Sequence, residues 1–263
     1  MSWWGKIIGG SFGFMAGGPL GALLGAALGH QFDSGLKQFG ALPPGETERT
    51  QTAFFAASFS VMGHIAKADG HVSRDEIELA RQVMSQMRLD EQQRRLAINL
   101  FNEGKAPDFP LDAVLAQLRQ ECHRRATLLQ MFLEIQLHAA YADGELHPEE
   151  KRLLLHVFER LGFSAAEFAH LEALVQGTRH FGSGRAGTSP RPDRLQEAYA
   201  ILGVAAEAED AEIKRTYRRL MNQHHPDKLV SKGLPEEMVR LATDKTIEIK
   251  AAYEMVKKAR GMR

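Results

Sequence analysis

Apolar residues recur at three- and four-residue spacing through most of this chain, which is the pattern of amphipathic helices that pack into a core. In the middle of the chain one such helical face is formed by Phe55, Phe59, Met62 and Ile65. We find no notable run of alternating apolar and polar residues, the pattern that would predict a half-buried strand. The sequence therefore predicts an all-α protein.

The amino-terminal part differs, because residues 7–29 contain no charged side chain. As a helix this segment is about 35 Å long, enough to cross a hydrocarbon layer of about 30 Å. We expect a short external segment at 1–6, a single transmembrane helix at 7–29 and a juxtamembrane segment at 30–47. A cleavable signal peptide is the alternative, because Ala27-Leu28-Gly29 is a small-x-small site, but the apolar run is long for a signal core and favours an uncleaved anchor.

Glycines recur every fourth residue along this predicted anchor and form one helical face. They are Gly9, Gly13, Gly17, Gly21, Gly25 and Gly29. A second backbone can approach such a face closely, so we expect a homodimer through the transmembrane helix. An anchor without a protein partner is the alternative. Trp3 and Trp4 suit the interface with membrane lipid.

Charge and cysteine content narrow the function classes. The 263 residues carry 33 basic and 33 acidic side chains, which disfavours a nucleic-acid binder driven by bulk positive charge. The single cysteine, Cys122, excludes an intrachain disulfide framework and a cysteine-cluster zinc site. The middle of the chain is slightly acidic and the carboxy-terminal part is basic, so the two parts are expected to have different roles.

Residues 48–176 contain an internal repeat of a helix, an Asp-Gly turn and an acidic helix start. Its two copies run from His64 to Glu76 and from His138 to Glu150, 74 residues apart. A calcium-binding EF-hand loop would need oxygen ligands two and four residues before each aspartate. Those positions hold Lys67, Ile65, Tyr141 and Ala139. The EF-hand interpretation is therefore excluded.

Helix capping accounts for most of the repeat, because Ser73 with Glu76 forms a capping box and Pro148 suits a first helical position. A divalent-metal site is the alternative, since matching acids recur in both copies. The segment resembles a TerB-like domain, and this resemblance implies a divalent-metal or acidic interaction site. Its residues would be Asp69, Glu76, Asp143 and Glu150. We expect no other cofactor.

Residues 177–192 are rich in glycine and proline and predict a flexible tether. Residues 193–263 then predict three helices. The second has one apolar edge and one basic face, and the third again has an apolar face. The apolar positions are Ile213, Tyr217 and Leu220, followed by Ile249, Ala252, Tyr253 and Val256; the basic ones are Lys214, Arg215, Arg218 and Arg219.

The last two helices are joined at His225-Pro226-Asp227, and this arrangement resembles a J-domain. The resemblance implies a DnaK-type ATP-driven chaperone as partner, and no enzymatic activity of the chain itself. It assigns docking to Lys214, Tyr217, Arg218 and Arg219, and stimulation of ATP hydrolysis to His225, Pro226 and Asp227. A Gly/Phe-rich segment and zinc cysteines do not follow, and the connection from Leu229 to Asp244 is long.

An anchor, a TerB-like domain and a terminal J-domain, in that order, resemble the DjlA family of membrane-anchored bacterial co-chaperones. This resemblance implies a single-pass protein of the inner membrane with its amino terminus outside and the bulk of the chain in the cytoplasm. A metal-responsive membrane scaffold acting through the TerB-like domain is the alternative function. A metal hydrolase built on His64, Asp69, His138 and Asp143 is disfavoured, because no nucleophile is evident.

Overall fold

The computed structural model describes residues 17–27, 45–68, 70, 81, 84, 89–123, 125–141, 146–183, 191–235 and 238–262. These residues form helices and their connections, with no strand among them, which confirms the all-α prediction. The helices are α1 at 17–27, α2 at Glu46–Ile65, α3 at Glu91–Gly104, α4 at Leu111–Glu121, α5 at Ala126–Ala140, α6 at Pro148–Leu161, α7 at Ala165–Ser183, α8 at Arg191–Leu202, α9 at Asp210–His224, α10 at Pro226–Ser231 and α11 at Val239–Arg260.

Helix ends in the middle region follow local sequence signals. Asp90 and Gln93 cap the start of α3 reciprocally, with each side chain accepting the other residue's backbone N–H at 2.8 and 3.0 Å. Helix α6 begins at Pro148 and ends at Leu161; the next residue, Gly162, has a φ of +90°, in the left-handed region that glycine adopts readily. These signals fix the lengths of the helices that enclose the core.

Helices α2 to α7 form the bundle, whose core is built on large aromatic side chains. Phe54 and Phe132 are fully buried and meet edge to face, with ring centroids 6.2 Å apart. Helices α2 and α3 cross backbone to backbone at Gly63 and Gly104. A Cβ atom on Gly63 would lie 2.0 Å from the carbonyl oxygen of Phe101, so only glycine permits this approach.

Helix α1 lies against the bundle. The Gln117 side chain donates to the Gly17 carbonyl at 2.7 Å and accepts from the Leu20 N–H at 2.8 Å, while Asn99 donates to the Ala27 carbonyl at 2.9 Å. Leu20 is buried in the same contact. The apolar face of α1 is thus covered by the bundle.

Of the predicted span at 7–29, the structure describes residues 17–27, which form the 11-residue helix α1, about 16 Å long. Among the described residues, no helix has the length and apolar character needed to cross a membrane. Of the predicted glycine row, α1 contains Gly17, Gly21 and Gly25, each half-buried; Gly9, Gly13 and Gly29 lie outside the described residues.

Helices α8, α9 and α11 form a second, smaller core, in which α11 packs against both of the others. The predicted apolar faces are confirmed: Ile213, Leu220, Ile249, Ala252, Tyr253 and Val256 are all buried there. At the far end Arg260 of α11 donates to the Ala208 carbonyl at 2.6 Å and to Asp210 Oδ1 at 2.7 Å, which ties α11 to the start of α9.

Of the predicted tether at 177–192, residues 177–183 and 191–192 are helical. Helix α7 continues to Ser183 and α8 begins at Arg191, and residues 184–190 lie outside the described residues. The glycines at 177 and 182 each cost a helix about 1 kcal/mol relative to alanine. That cost does not end α7, because Leu171, Leu174 and Val175 anchor its preceding turns in the bundle core. Helix α7 also packs against α8, so the two regions are in contact.

Candidate chaperone-binding site

A basic face on α9 forms one half of the candidate site. Helix α9 opens with Asp210 and Glu212, whose charges suit a helix amino terminus. Its apolar edge is buried by α8 and α11, which leaves Arg218 and Arg219 exposed and Lys214 half-buried. The three predicted docking cations therefore lie on the side of α9 that is turned away from the smaller core.

The fourth predicted docking residue, Tyr217, has a structural role as well. Its ring stacks on that of Tyr253, with centroids 3.9 Å apart and an angle of 9° between the planes. Burial in this stack raises the pKa of Tyr217, so its phenol stays neutral at physiological pH. Only the remaining exposed part of this half-buried side chain is accessible to a partner.

The tripeptide His225-Pro226-Asp227 lies where α9 ends and the short helix α10 begins. His225 leaves the helical conformation, with φ −62° and ψ 122°, and Pro226 is the first residue of α10. The Nδ1 atom of His225 accepts the backbone N–H of Asp227 at 3.2 Å. In the neutral ring the proton is then on Nε2, so this nitrogen is the donor that the side chain offers.

Two further contacts hold this loop, and sequence reasoning missed both. The Lys228 ammonium donates to Asn222 Oδ1, which bridges the tripeptide from one side to the other. The Thr246 hydroxyl of α11 donates to the carbonyl of His224 at 3.3 Å. The sequence feature that could have indicated the first contact is a pair of polar residues, Asn222 and Lys228, on either side of the tripeptide. The loop therefore has a defined conformation that is supported by both long helices.

His224, the residue before the tripeptide, is buried where α9 meets the bundle. Its Nε2 atom lies 3.6 Å from the Glu134 carboxylate of α5. Burial lowers the pKa of His224, which favours the neutral ring, while the nearby Glu134 charge opposes this shift and Lys245 reinforces it. Among the described residues its Nδ1 atom has no hydrogen-bond partner.

The acidic repeat is only partly described. Glu150 is 3% exposed, and its Oε2 accepts the His147 N–H at 3.0 Å, as a helix-capping residue does. Asp69, Glu76 and Asp143 lie outside the described residues. In the part of the chain that the structure covers, no group of three histidine, cysteine or carboxylate side chains is arranged to hold a metal ion.

His64 of the first copy has a local role. Its Nδ1 atom lies 3.0 Å from the Gly104 carbonyl, and its ring packs 4.9 Å from that of Phe109. Burial lowers the pKa of this histidine, and the Gly104 contact opposes the shift. The observed contacts of His64 and Glu150 are thus those of residues that stabilise the bundle.

An exposed basic helix, a fixed His-Pro-Asp loop and a third helix packed against both define a J-domain co-chaperone. Comparison with family models agrees: residues 197–261 match the DnaJ domain, residues 55–173 match the tellurite resistance protein TerB, and residues 1–39 match the co-chaperone DjlA transmembrane domain. The three matches follow the order expected from the sequence.

Curated relatives extend this match over the whole chain. It is 45% identical to the co-chaperone protein DjlA of Photobacterium profundum over 99% of this chain and all of that protein. The corresponding identities are 46% with the DjlA protein of Coxiella burnetii and 42% with that of Escherichia coli O157:H7, each over the full length of both chains. No solved structure matches. The chain belongs to the DjlA family of co-chaperones, which are membrane-anchored bacterial proteins.

Proposed function

We propose that this chain recruits a DnaK-type chaperone and stimulates its ATP hydrolysis at the cytoplasmic face of the inner membrane. The observation that carries the proposal is the placement of His225-Pro226-Asp227 directly at the end of a helix with an exposed basic face. Docking and triggering groups are thereby displayed on one continuous surface.

The basic face supplies the attraction. Lys214, Arg218 and Arg219 are positioned to meet an acidic groove, and complementary charges of this kind speed association and select partners. Exposed charges are screened over about 8 Å at physiological salt, so we expect recruitment to weaken as salt is added. The aromatic edge of Tyr217 adds apolar contact beside these cations.

The loop supplies the trigger. With Nδ1 engaged by Asp227, the His225 ring presents its Nε2–H as a donor, and the exposed Asp227 carboxylate is an acceptor. Together they can make or break polar contacts on the partner while Pro226 limits the freedom of the backbone. The chemistry of ATP hydrolysis belongs to the partner, and this chain is not itself an enzyme.

The test is single-turnover ATP hydrolysis by a DnaK-type chaperone with increasing amounts of the full chain in lipid nanodiscs. His225→Gln should abolish stimulation at saturation while leaving circular dichroism unchanged, and His123→Gln, at an exposed histidine of the bundle, is the matched control. Arg218→Ala should instead raise the concentration needed for stimulation, with Lys250→Ala as its control. Full stimulation by His225→Gln would remove the loop as the trigger.

The same proposal places the amino terminus outside the membrane and the rest of the chain inside. Cys122 is buried, and burial raises its pKa to about 12, so it gives little background with a thiol-directed reagent. In intact cells Ser2→Cys should react with a membrane-impermeant maleimide, and Ser231→Cys should react only after permeabilisation. The reverse labelling pattern would overturn this orientation.

We further propose that the anchor self-associates through its glycine row, which is supported by the four-residue spacing of those glycines. Replacing Gly13, Gly17 and Gly21 with leucine keeps the segment apolar but blocks close backbone approach. A membrane dimerisation reporter should then lose its signal at equal insertion. Retention of the full signal would show that the glycine face is not the contact.

A further inference from the structure

The connection that follows the His-Pro-Asp loop is buried in the bundle and not in the smaller core. Leu229 and Leu234 are fully buried, Met238 is 1% exposed and Ala242 is fully buried, and all four belong to the apolar cluster of the bundle. This connection includes α10 and the start of α11, and it accounts for the unusual length of residues 229–244. The J-domain is therefore attached to the bundle at the end that carries the His-Pro-Asp loop.

Polar contacts fix the register of this attachment. Lys232 donates to the Thr127 hydroxyl at 2.9 Å. Gly233, with φ +96°, packs so closely that a Cβ atom there would lie 3.1 Å from a methyl carbon of Thr50 and 3.1 Å from the Arg125 guanidinium. A glycine is required here by both the backbone conformation and the lack of space.

The bundle contacts the residues on both sides of the His-Pro-Asp loop. His224 directly precedes His225 and lies 3.6 Å from Glu134 of the bundle, and Leu229 follows Asp227 by two residues and is buried among bundle side chains. The bundle thus occupies the end of the J-domain from which the trigger loop projects. The bundle also contacts the J-domain away from the loop, where Gly203 packs against His170 and Leu174 of α7.

We propose that this attachment is autoinhibitory: the TerB-like bundle restrains the His-Pro-Asp loop, and release of residues 229–242 from the bundle raises chaperone stimulation. The proposal rests on the proposed co-chaperone function and deepens it. The bundle holds His224 and Leu229, which flank the loop, while Asp227 itself stays exposed. A chaperone that docks on the basic face of α9 and needs the loop to move must therefore act against this attachment. Binding of the chaperone and attachment to the bundle then oppose each other.

A reversible covalent lock tests the restraint in the intact chain. Thr50 Cβ lies 3.2 Å from the position of a Cβ atom at residue 233, so a small separation of the two backbones brings the pair into the range of about 3.5–4.5 Å found in disulfides. Thr50→Cys with Gly233→Cys should therefore form a disulfide on mild oxidation with diamide. Cys122→Ala is included because Thr50 touches Glu121, next to Cys122, so the native thiol would compete.

Each sample of this variant serves as its own control, because the strain of a side chain at residue 233 is present in both redox states. We expect the oxidised protein to stimulate ATP hydrolysis about fivefold less than the reduced protein, the lower end of typical coupling between sites. Dithiothreitol should restore the reduced activity. Equal stimulation in the two states would overturn the proposal.

The opposite change is Leu234→Asp, which places a charge in the bundle face without altering the smaller core. It should raise stimulation above wild type, whereas Ile247→Asp, at a position that is 61% exposed on α11, should not. If Leu234→Asp does not fold, the disulfide variant still decides the matter. If wild type, Leu234→Asp and both redox states all stimulate ATP hydrolysis equally, the autoinhibition is wrong and the co-chaperone function stands. If none of them stimulates ATP hydrolysis, the co-chaperone function itself is wrong.

Discussion

The bundle and the J-domain are built from the same kind of helix but are stabilised differently. The bundle encloses fully buried phenylalanines such as Phe54 and Phe132, and its helices α2 and α3 meet backbone to backbone. The J-domain core contains no phenylalanine among the described residues and rests on smaller side chains and a tyrosine stack. Part of its apolar surface is instead buried in the bundle core.

This difference shows that domain boundaries in sequence and boundaries between cores need not coincide. The J-domain match covers residues 197–261, yet residues 229–242 within it contribute to the core of the preceding domain. A small helical hairpin with a limited core gains stability from such an attachment. Both regions therefore contact the residues that flank the loop between α9 and α10.

The largest expected effect comes from the close crossing in the bundle. Gly63→Ala places a Cβ atom where only 2.0 Å separates it from the Phe101 carbonyl oxygen, so α2 and α3 must move apart. We expect a loss of about 1–3 kcal/mol in the free energy of unfolding, the usual range for overpacking. Guanidinium unfolding of the full chain in detergent, followed by far-ultraviolet circular dichroism, measures it.

Gly45→Ala is the control for that change, because a Cβ atom at residue 45 would meet no atom within 4 Å. If the J-domain depends on the bundle, the near-ultraviolet signal of its tyrosines should shift to the same lower denaturant concentration as the far-ultraviolet signal. Separate transitions would show instead that the two regions unfold independently.

The next effect is confined to the J-domain. Tyr217→Ala removes the stack with Tyr253 and should cost about 0.5–1.5 kcal/mol beyond the loss of buried area. Tyr217→Phe retains the ring and should keep most of the stability. Thermal unfolding of both variants measures the difference, and chaperone affinity reports separately on docking. Equal stability of the two variants would mean that the stack contributes little.

Sequence reasoning predicted most of the helices and both faces of α9, because their apolar spacing and charge placement are local features. It also placed Pro148 and Glu150 correctly at a helix start, where the capping chemistry involves only neighbouring residues. It did not predict the attachment of residues 229–242. Their apolar side chains suit either core, and only the fold decides which one receives them.

The contacts of α1 and the extent of the tether show the same limit. The apolar stretch at 7–29 has the composition of a span, and the family match supports a transmembrane domain at residues 1–39. Yet α1 lies against Gln117 and Asn99, a contact that periodicity cannot reveal. The glycines at 177 and 182 favour a tether, but a helix that is anchored by buried leucines continues through them to Ser183.

Glu150 offers a smaller effect that tests what the acidic repeat does. Glu150→Gln keeps the size of the side chain but weakens the cap on His147, so we expect a loss of about 0.5–1 kcal/mol. The loss should be the same with and without added calcium, magnesium, manganese or zinc, as measured by thermal unfolding. Stabilisation of the wild type by one of these ions that the variant lacks would support a metal site with Asp69, Glu76 and Asp143.

The smallest expected effect is a pH dependence at the contact between the two regions. Burial lowers the pKa of His224 in the folded chain, so the unfolded chain binds more protons near the ordinary histidine pKa of about 6.5. Stability is then fully present above that value and is lost as the pH falls from it toward the folded pKa. The pKa values of His64 and His170 are lowered for the same reason and act in the same direction.

His224→Gln isolates the contribution of the interface. The groups that face His224 are Glu134 on the bundle and Lys245 on α11, with Glu248 nearby. Burial raises the pKa of Glu248, so this carboxyl changes the stability with pH in the opposite direction to His224. Its contribution is the same in wild type and variant. The free energy of unfolding between pH 7 and 5.5 should therefore fall less steeply in the variant, by a fraction of the limit of about 1.4 kcal/mol per pH unit for one proton. His123→Gln, at an exposed histidine, should leave the slope unchanged. If the free energy of unfolding has the same slope against pH in wild type and His224→Gln, His224 takes up a proton as readily in the folded chain as in the unfolded chain. The bundle then does not bury the residue that precedes the His-Pro-Asp loop.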